Sequence, residues 1–229
     1  MQKRWKYAPP GSHWGEFGPD DRLGRMNLVT AAKVRQGVQE VREGLTFCLS
    51  LPLDIPGGRS LNARRLPPRL YGTLRDGKSA GVQGFCWSYA SEDSELTDVV
   101  CDEVMLMNTQ YSTQWDSLAH IGSRFDADGD GVAEAVFYNG FRAGVDIHPG
   151  STDPQAGEDW ARYPDPDANA LGVANLARHG VQGRGVLIDL EHHVGRQREA
   201  VGYDRLMRML EADGVEIEAG DMEIGRAHV

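Results

Sequence analysis

The stretch that most constrains this chain is a junction. An apolar run, Val104–Met107, leads after two residues into Gln110-Tyr-Ser-Thr-Gln-Trp-Asp-Ser-Leu-Ala-His120. Amides, hydroxyls, a carboxylate and an imidazole crowd into that segment at the end of what reads as a buried strand. Polar groups at such density are costly to bury unless each finds a partner, and strand ends are where α/β proteins place ligand sites. With helical geometry from Thr113, Asp116 and His120 sit four apart on one face. The carboxylate then orients the imidazole or shares a metal with it. The competing arrangement is a capped helix start, in which Ser112 or Thr113 caps, Asp116 meets the N-terminal dipole and His120 faces solvent.

Along the chain, residues 1–27 show no period and read as an arm that packs on a partner, a site lid or a plain surface loop. Thr30 to Glu43 has helix character, with Thr30 as cap, Gly44 as stop, and Val34, Val38 and Val41 on one face. Leu45–Leu53 reads as a strand, Ile55–Lys78 as a long loop, and Val99–Met107 as an interior strand feeding the polar segment. Glu134–Phe137 is a short strand ending at the turn Tyr138-Asn139-Gly140. Residues 149–170 form a second long loop and Ala170–His179 a short helix. Gly185–Leu190 is a buried strand by its continuous apolar run. Tyr203–Ala212 is the cleanest helix, with Leu206, Met209 and Leu210 on one face and Gly214 as stop. Strands alternating with helices favour an α/β class.

A second constellation is Asp126-Ala-Asp-Gly-Asp-Gly131. Carboxylates at positions 1, 3 and 5 with Gly at 6 match the first half of a calcium loop, which makes Asp126, Asp128 and Asp130 candidate calcium ligands. Position 12 is Phe137 where such a loop needs a bidentate Glu, Glu134 falls at position 9, and flanking helices are missing. The alternative is an acidic turn held by Asx hydrogen bonds. The three carboxylates should converge only around a cation, since unpaired they repel. His192-His193 read as a solvated loop, and His13 and His148 as lone loop histidines. No Gly-x-Ser-x-Gly elbow frames Ser112 or Ser117, which argues against a serine hydrolase.

A length of 229 residues suits one domain, or one with an extension. A net charge of −10 with only short basic pieces argues against nucleic-acid partners. No apolar run approaches the roughly 18 residues of a membrane span, and no signal-peptide core follows the basic start. Cys48, Cys86 and Cys101 read as small buried hydrophobes in a reducing compartment, with cytoplasm the expected location.

The polar segment also resembles the signature of the Putative cyclase superfamily, which includes kynurenine formamidases and isatin hydrolase: His-x-Gly-Thr-His-x-Asp-x-x-x-His. Thr113, Asp116 and His120 match, while Gln110, Ser112 and Gln114 replace His, Gly and His. The resemblance continues through Trp14-Gly15, Asp20-Asp21, Gly24 and Asn27-Leu28, then Gly180 to Gly185 with Val186-Leu187-Ile188-Asp189, and finally Gly220-Asp221. It covers nearly the whole chain in the right order. It implies a single-domain swivelling β/β/α cyclase-like fold, a homo-oligomer, and zinc or manganese that activates a water and polarises a substrate carbonyl. By resemblance Asp116 keeps a metal role, Gln110 and Gln114 stand at the other ligand positions, and His120 transfers protons. A Gln oxygen is neutral and a poorer zinc donor than imidazole, so zinc binding should weaken and a hard ion should suit better. Trp115, Tyr138 and Phe141 are candidates for lining an aromatic substrate pocket, core packing being the alternative.

Family members continue past the Gly-Asp turn into another strand and further active-site His and Glu residues. Here Met222 is followed by Glu223-Ile-Gly-Arg-Ala-His-Val229, which matches the in-frame translation of a widely used sequencing-library adapter. Residues 223–229 are therefore read as a non-native tail, and His228 is not counted as a ligand. The expected organisation is an arm or loop over 1–27 and a cyclase-like domain over 28–222, incomplete at its C-terminal end. The 186–190 strand would then keep an open edge.

Three functions follow. The first is an arylformamidase-like, metal-dependent hydrolase of an amide, lactam or lactone bond in a small metabolite, as in tryptophan catabolism. The second is a non-catalytic cyclase-fold binding protein with a degenerate metal site. The third is a calcium-stabilised structural domain built on 126–131.

Overall fold

The computed structural model describes residues 3–59, 62–74, 84–150, 166–196 and 199–225. Helix α1, Ala31–Gln39, begins where the backbone N–H of Lys33 donates to the Thr30 hydroxyl, one of the orphan donors of a helix start thus being satisfied. Among the described residues there follow β1 Arg69–Gly72, β2 Trp87–Ser88, β3 Val99–Val100, β4 Glu103–Leu106, β5 Ser123–Phe125 and β6 Glu134–Val136. Next come α2 Val173–His179, β7 Gly185–Ile188, α3 Leu190–Val194, α4 Tyr203–Asp213 and β8 Met222–Gly225. The class is mixed α and β, in two compact units: Met1–Leu45 with Trp115–His228, and Thr46–Gln114.

In the larger unit, β5 and β6 pair antiparallel and β7 and β8 pair parallel. Residues from Arg4 to Asp21 fold onto the β5–β6 hairpin and the turn that follows it. Trp5 packs with Ala127 and Val136, with Trp14 and Phe125 against them, and the N–H groups of Lys6 and Tyr7 both donate to the Ala127 carbonyl. Asn139 locks the arrangement. It is fully buried with a φ of 54°, accepts from Gly15 N–H at 2.8 Å and donates to the Gly18 carbonyl at 3.0 Å. The readings for 1–27 are an arm on a partner, a lid or a surface loop; the structure shows this segment packed against residues 127–139 of its own chain. A second core joins Phe141, Ala170 and Leu171, with Leu118 and Tyr138 packed on it.

α4 matches its expected span and ends at Gly214 in the left-handed conformation, which glycine adopts at no steric cost. β7 alternates instead of being buried throughout: Val186 and Ile188 are inside and Leu187 is exposed. It ends at Ile188 because Asp189 caps α3, accepting from His192 N–H. His192 and His193 therefore lie on a helix, not a loop. Of the segment set aside as a tail, Glu223 to Gly225 pair with β7 as part of β8. α1 buries Lys33, and Val38 and Val41 are exposed.

In the smaller unit, β1 pairs antiparallel with β4, and β2 with β3. The expected interior strand over 99–107 is two short strands broken at Cys101-Asp102, and Val104, Met105 and Leu106 are exposed. Leu45–Leu53 forms no strand, while β1 arises inside the expected 55–78 loop. All three cysteines are exposed, not buried. Most of the second long loop, 151–165, lies outside the described residues.

Candidate functional site

Segment 110–120 contains no helix. Its leading half is used on the loops of the smaller unit. The Ser112 hydroxyl donates to the Pro52 carbonyl at 2.9 Å and Leu51 N–H donates to the Thr113 hydroxyl at 3.0 Å. Tyr111 is buried, its hydroxyl donating to the Gly58 carbonyl, and Arg65 donates to the Gln110 carbonyl at 2.7 Å. Ser112 and Thr113 thus hold the chain against Leu51 and Pro52 and are not spent on capping. The Gln114 amide donates to Gln110 Oε1.

Asp116 and His120 belong to the larger unit. A turn, with His120 N–H donating to the Ser117 carbonyl at 3.0 Å, brings His120 Nε2 to 3.9 Å from Asp116 Oδ2. The i,i+4 pair thus forms without a helix. Both side chains are part-exposed, at 29% and 44%, so the imidazole has one carboxylate neighbour and remains open to solutes. Trp115 is half-exposed. Phe141 is core, with the Arg4 guanidinium 4.1 Å over its ring. Tyr138 packs on the same core and donates to Asp21 Oδ2 at 2.9 Å. Burial, then that carboxylate, push its phenol far above the ordinary range.

The turn joining β5 to β6 forms a second centre. Asp126, Asp128, Asp130 and Glu134 each bring a carboxylate oxygen within 4.8 Å of the others, an arrangement that could hold a metal ion. Asx hydrogen bonds shape it. Asp126 accepts from the N–H groups of Gly129, Asp130 and Gly131 at 2.6, 3.1 and 2.9 Å, and Gly129 and Gly131 take positive φ. Arg142, returning along the hairpin, donates to Asp128 Oδ2 at 2.5 Å and lies 3.3 Å from Glu134 Oε1. Its hydrogen bond holds the Asp128 carboxyl below the ordinary range. Features of both sequence readings coexist: converging carboxylates and an Asx-bonded turn. Glu134 enters the cluster from its ninth position. Arg142 carries no local sequence signal, since only the return of the chain after Tyr138–Gly140, antiparallel to β6, brings it there.

A third group of charges was not legible in the sequence beyond the Gly220-Asp221 turn. The Asp221 side chain is fully buried, accepting from Arg184 Nε at 3.0 Å and Lys33 Nζ at 3.0 Å. Glu218 completes it, 3.1 Å from Lys33 Nζ. His193 Nε2 meets Asp213 Oδ2 at 2.8 Å.

The sequence model of the family described as Putative cyclase matches residues 48–226. No curated protein matches the chain. A solved structure described as the crystal structure of a novel cyclase is similar, with a TM-score of 0.62 and 24% identity over 94% of this chain. The chain spans 60% of that structure's length, and at this identity the likeness concerns the fold.

Proposed function

Because the chain belongs to the Putative cyclase family, whose model covers most of its length, we propose that it is a hydrolase of an amide, lactam or lactone bond in a small metabolite. The observation that carries this is the Asp116–His120 pair, 3.9 Å apart and open to solutes, at the family-motif positions. The imidazole takes a proton from a water adding to the substrate carbonyl, then returns it to the departing nitrogen or oxygen. Asp116 faces the ring, its Oδ2 lying 3.9 Å from Nε2. The substrate class follows the resemblance: an aryl formamide of the N-formylkynurenine type. The swivelling β/β/α topology, a homo-oligomeric state and a cytoplasmic location belong to the same reading.

The family's zinc or manganese does not fit the donors at positions 110 and 114. Gln110 Oε1, the one atom of that side chain able to ligate, already accepts from Gln114, and amide oxygens are neutral, poor zinc donors. No step of the proposed reaction runs through that metal. The all-oxygen set Asp126, Asp128, Asp130 and Glu134 instead suits a hard divalent cation, calcium, magnesium or manganese, in a structural role.

The Gln110–Gln114 hydrogen bond also favours a second reading, a binding protein that has lost turnover. One experiment separates the two: hydrolysis of N-formylkynurenine beside equilibrium binding of the same compound. The hydrolase reading expects slow turnover that persists in chelator and falls at least about a hundredfold in His120→Ala, the low end for removing an acid–base group. Binding without turnover would leave the second reading standing. If Gln110→His with Gln114→His gains no zinc affinity, these positions do not inherit the family's ligand geometry.

A further inference from the structure

We propose that Cys86 and Cys101 form a redox pair that closes to an intramolecular disulfide under peroxide. Their sulfurs lie 3.4 Å apart and share a hydrogen bond, and the N–H of Cys86 donates to the Cys101 sulfur at 3.2 Å. Both residues are exposed.

The strand register explains the proximity. Trp87 pairs with Val100 and Ser88 with Val99 in the antiparallel β2–β3 ladder, so the next rung sets Cys86 opposite Cys101. Opposed residues in such a ladder have Cα atoms about 4.5–5.5 Å apart, inside the span that a disulfide bridges. Just beyond, Asp102 N–H donates to the Gly84 carbonyl, a pairing slipped by one residue from the β2–β3 register. The extra residue bulges the chain here, and Cys86 takes a φ of 57°. That bend turns its side chain onto Cys101. Closing from 3.4 Å to the roughly 2.05 Å of a disulfide needs only small side-chain rotations.

The Cys86 N–H aimed at the Cys101 sulfur marks Cys101 as the first nucleophile, attacking as its thiolate. That thiolate attacks hydrogen peroxide, an S–O bond forms, the O–O bond breaks, and the hydroxide that leaves is protonated to water. Cys86 then attacks the sulfenic sulfur, loses its proton and expels a second hydroxide as water. Two thiols lose two protons and two electrons, and one peroxide becomes two waters. The bridge reinforces a ladder of only two residue pairs. Cys48 has no thiol beside it among the described residues, its sulfur donating instead to the Ser50 carbonyl.

The test is a peptide map of the whole chain after peroxide, followed by alkylation and combined cleavage at Lys/Arg and Glu. Cleavage after Lys78, Glu92, Glu95 and Glu103 separates Cys86 from Cys101, and both from Cys48. The expected result is peptide 79–92 joined to peptide 96–103, ~2 Da lighter than their sum for the two hydrogens lost, and parted again by dithiothreitol. Cys48 should stay alkylated, and Cys48→Ser should form the same bridge. Separate sulfinic acids at Cys86 and Cys101, or bridges only between chains, would overturn the proposal. The wild-type map decides without any variant at 86 or 101.

Discussion

Asn139 combines two demands that few residues meet together. Its backbone sits at φ 54°, and its amide answers groups on the N-terminal segment. Asn139→Ala removes those partners and adds the left-handed penalty, so it should cost about 3 kcal/mol. Asn139→Gly loses the same hydrogen bonds but not the conformation, and should be milder by about 1 kcal/mol. Urea unfolding of both variants checks the order, and a Gly variant no better than Ala would remove the conformational part of the argument. Asp221 makes the corresponding electrostatic case. Burial alone would raise its carboxyl, but Arg184, the Glu218 N–H and Lys33 outweigh it and bring the pKa to about 2. An unfolded Asp titrates near ~3.9. Because the folded value is depressed, the stabilisation is fully present above pH ~4 and is lost as pH falls through 2, roughly 2 kcal/mol in all. Asp221→Asn should therefore flatten the acid limb of stability between those values while destabilising at neutral pH, where Lys33 and Arg184 lose a buried partner. Unfolding midpoints across that range test it, and an acid limb as steep in the variant as in the parent would exclude Asp221 as its source.

At the scale of elements, the chain returning after Tyr138–Gly140, bridged antiparallel to β6 at Val136, puts Arg142 in competition with a cation. The guanidinium already neutralises Asp128 and Glu134, so an arriving ion must displace it. On the proposed reading, Arg142→Gln should lower stability in chelator, where four carboxylates then repel, and enlarge the stabilisation gained on adding calcium, because bound ligand shifts unfolding by mass action. Thermal unfolding with and without calcium measures both, and an equal calcium response in parent and variant would count against a cation at this turn. The turn was legible because Asp-x-Asp-x-Asp-Gly is local chemistry. Glu134 and Arg142 as partners were not, since the β5–β6 register brings in the first and the return of the chain after Tyr138–Gly140 the second. The same division runs through the fold. Thr30 as cap and Gly214 as stop are local and were readable. The buried face of α1 was not, because it depends on partners of Lys33 some 185 residues away. The run 99–107 misled because apolar content reports a strand's composition, not what covers it, and Cys101-Asp102 interrupts it at the slipped register. Asp116 and His120 do meet, but through a turn, since the hydroxyls that would have capped a helix hold the Leu51-Pro52 backbone.

Across the whole molecule, the distribution of exposed apolar side chains sets the next question. Among the described residues no helix is long and apolar enough to cross a membrane. Yet Leu70 and Met105 face each other across the β1–β4 ladder, as do Tyr71 and Val104, and all four are exposed. Paired residues share a face and neighbours along a strand alternate, so the first pair lies on one face of this ladder and the second on the other. Phe47, Leu49 and Leu106 are exposed in the same unit. Apolar surface on that scale normally marks an interaction site or an aggregation liability, and the proposed homo-oligomer supplies an occupant of matching chemistry. The net charge of −10 opposes close approach of copies, so association should strengthen with added salt. Light scattering behind size exclusion should show a mass that rises with concentration and with salt, and Leu70→Lys with Tyr71→Lys, one on each face, should return it towards the monomer. A monomer at every concentration and salt, binding no apolar dye, would show that these side chains are covered within the single chain in solution and would remove the argument for a second copy.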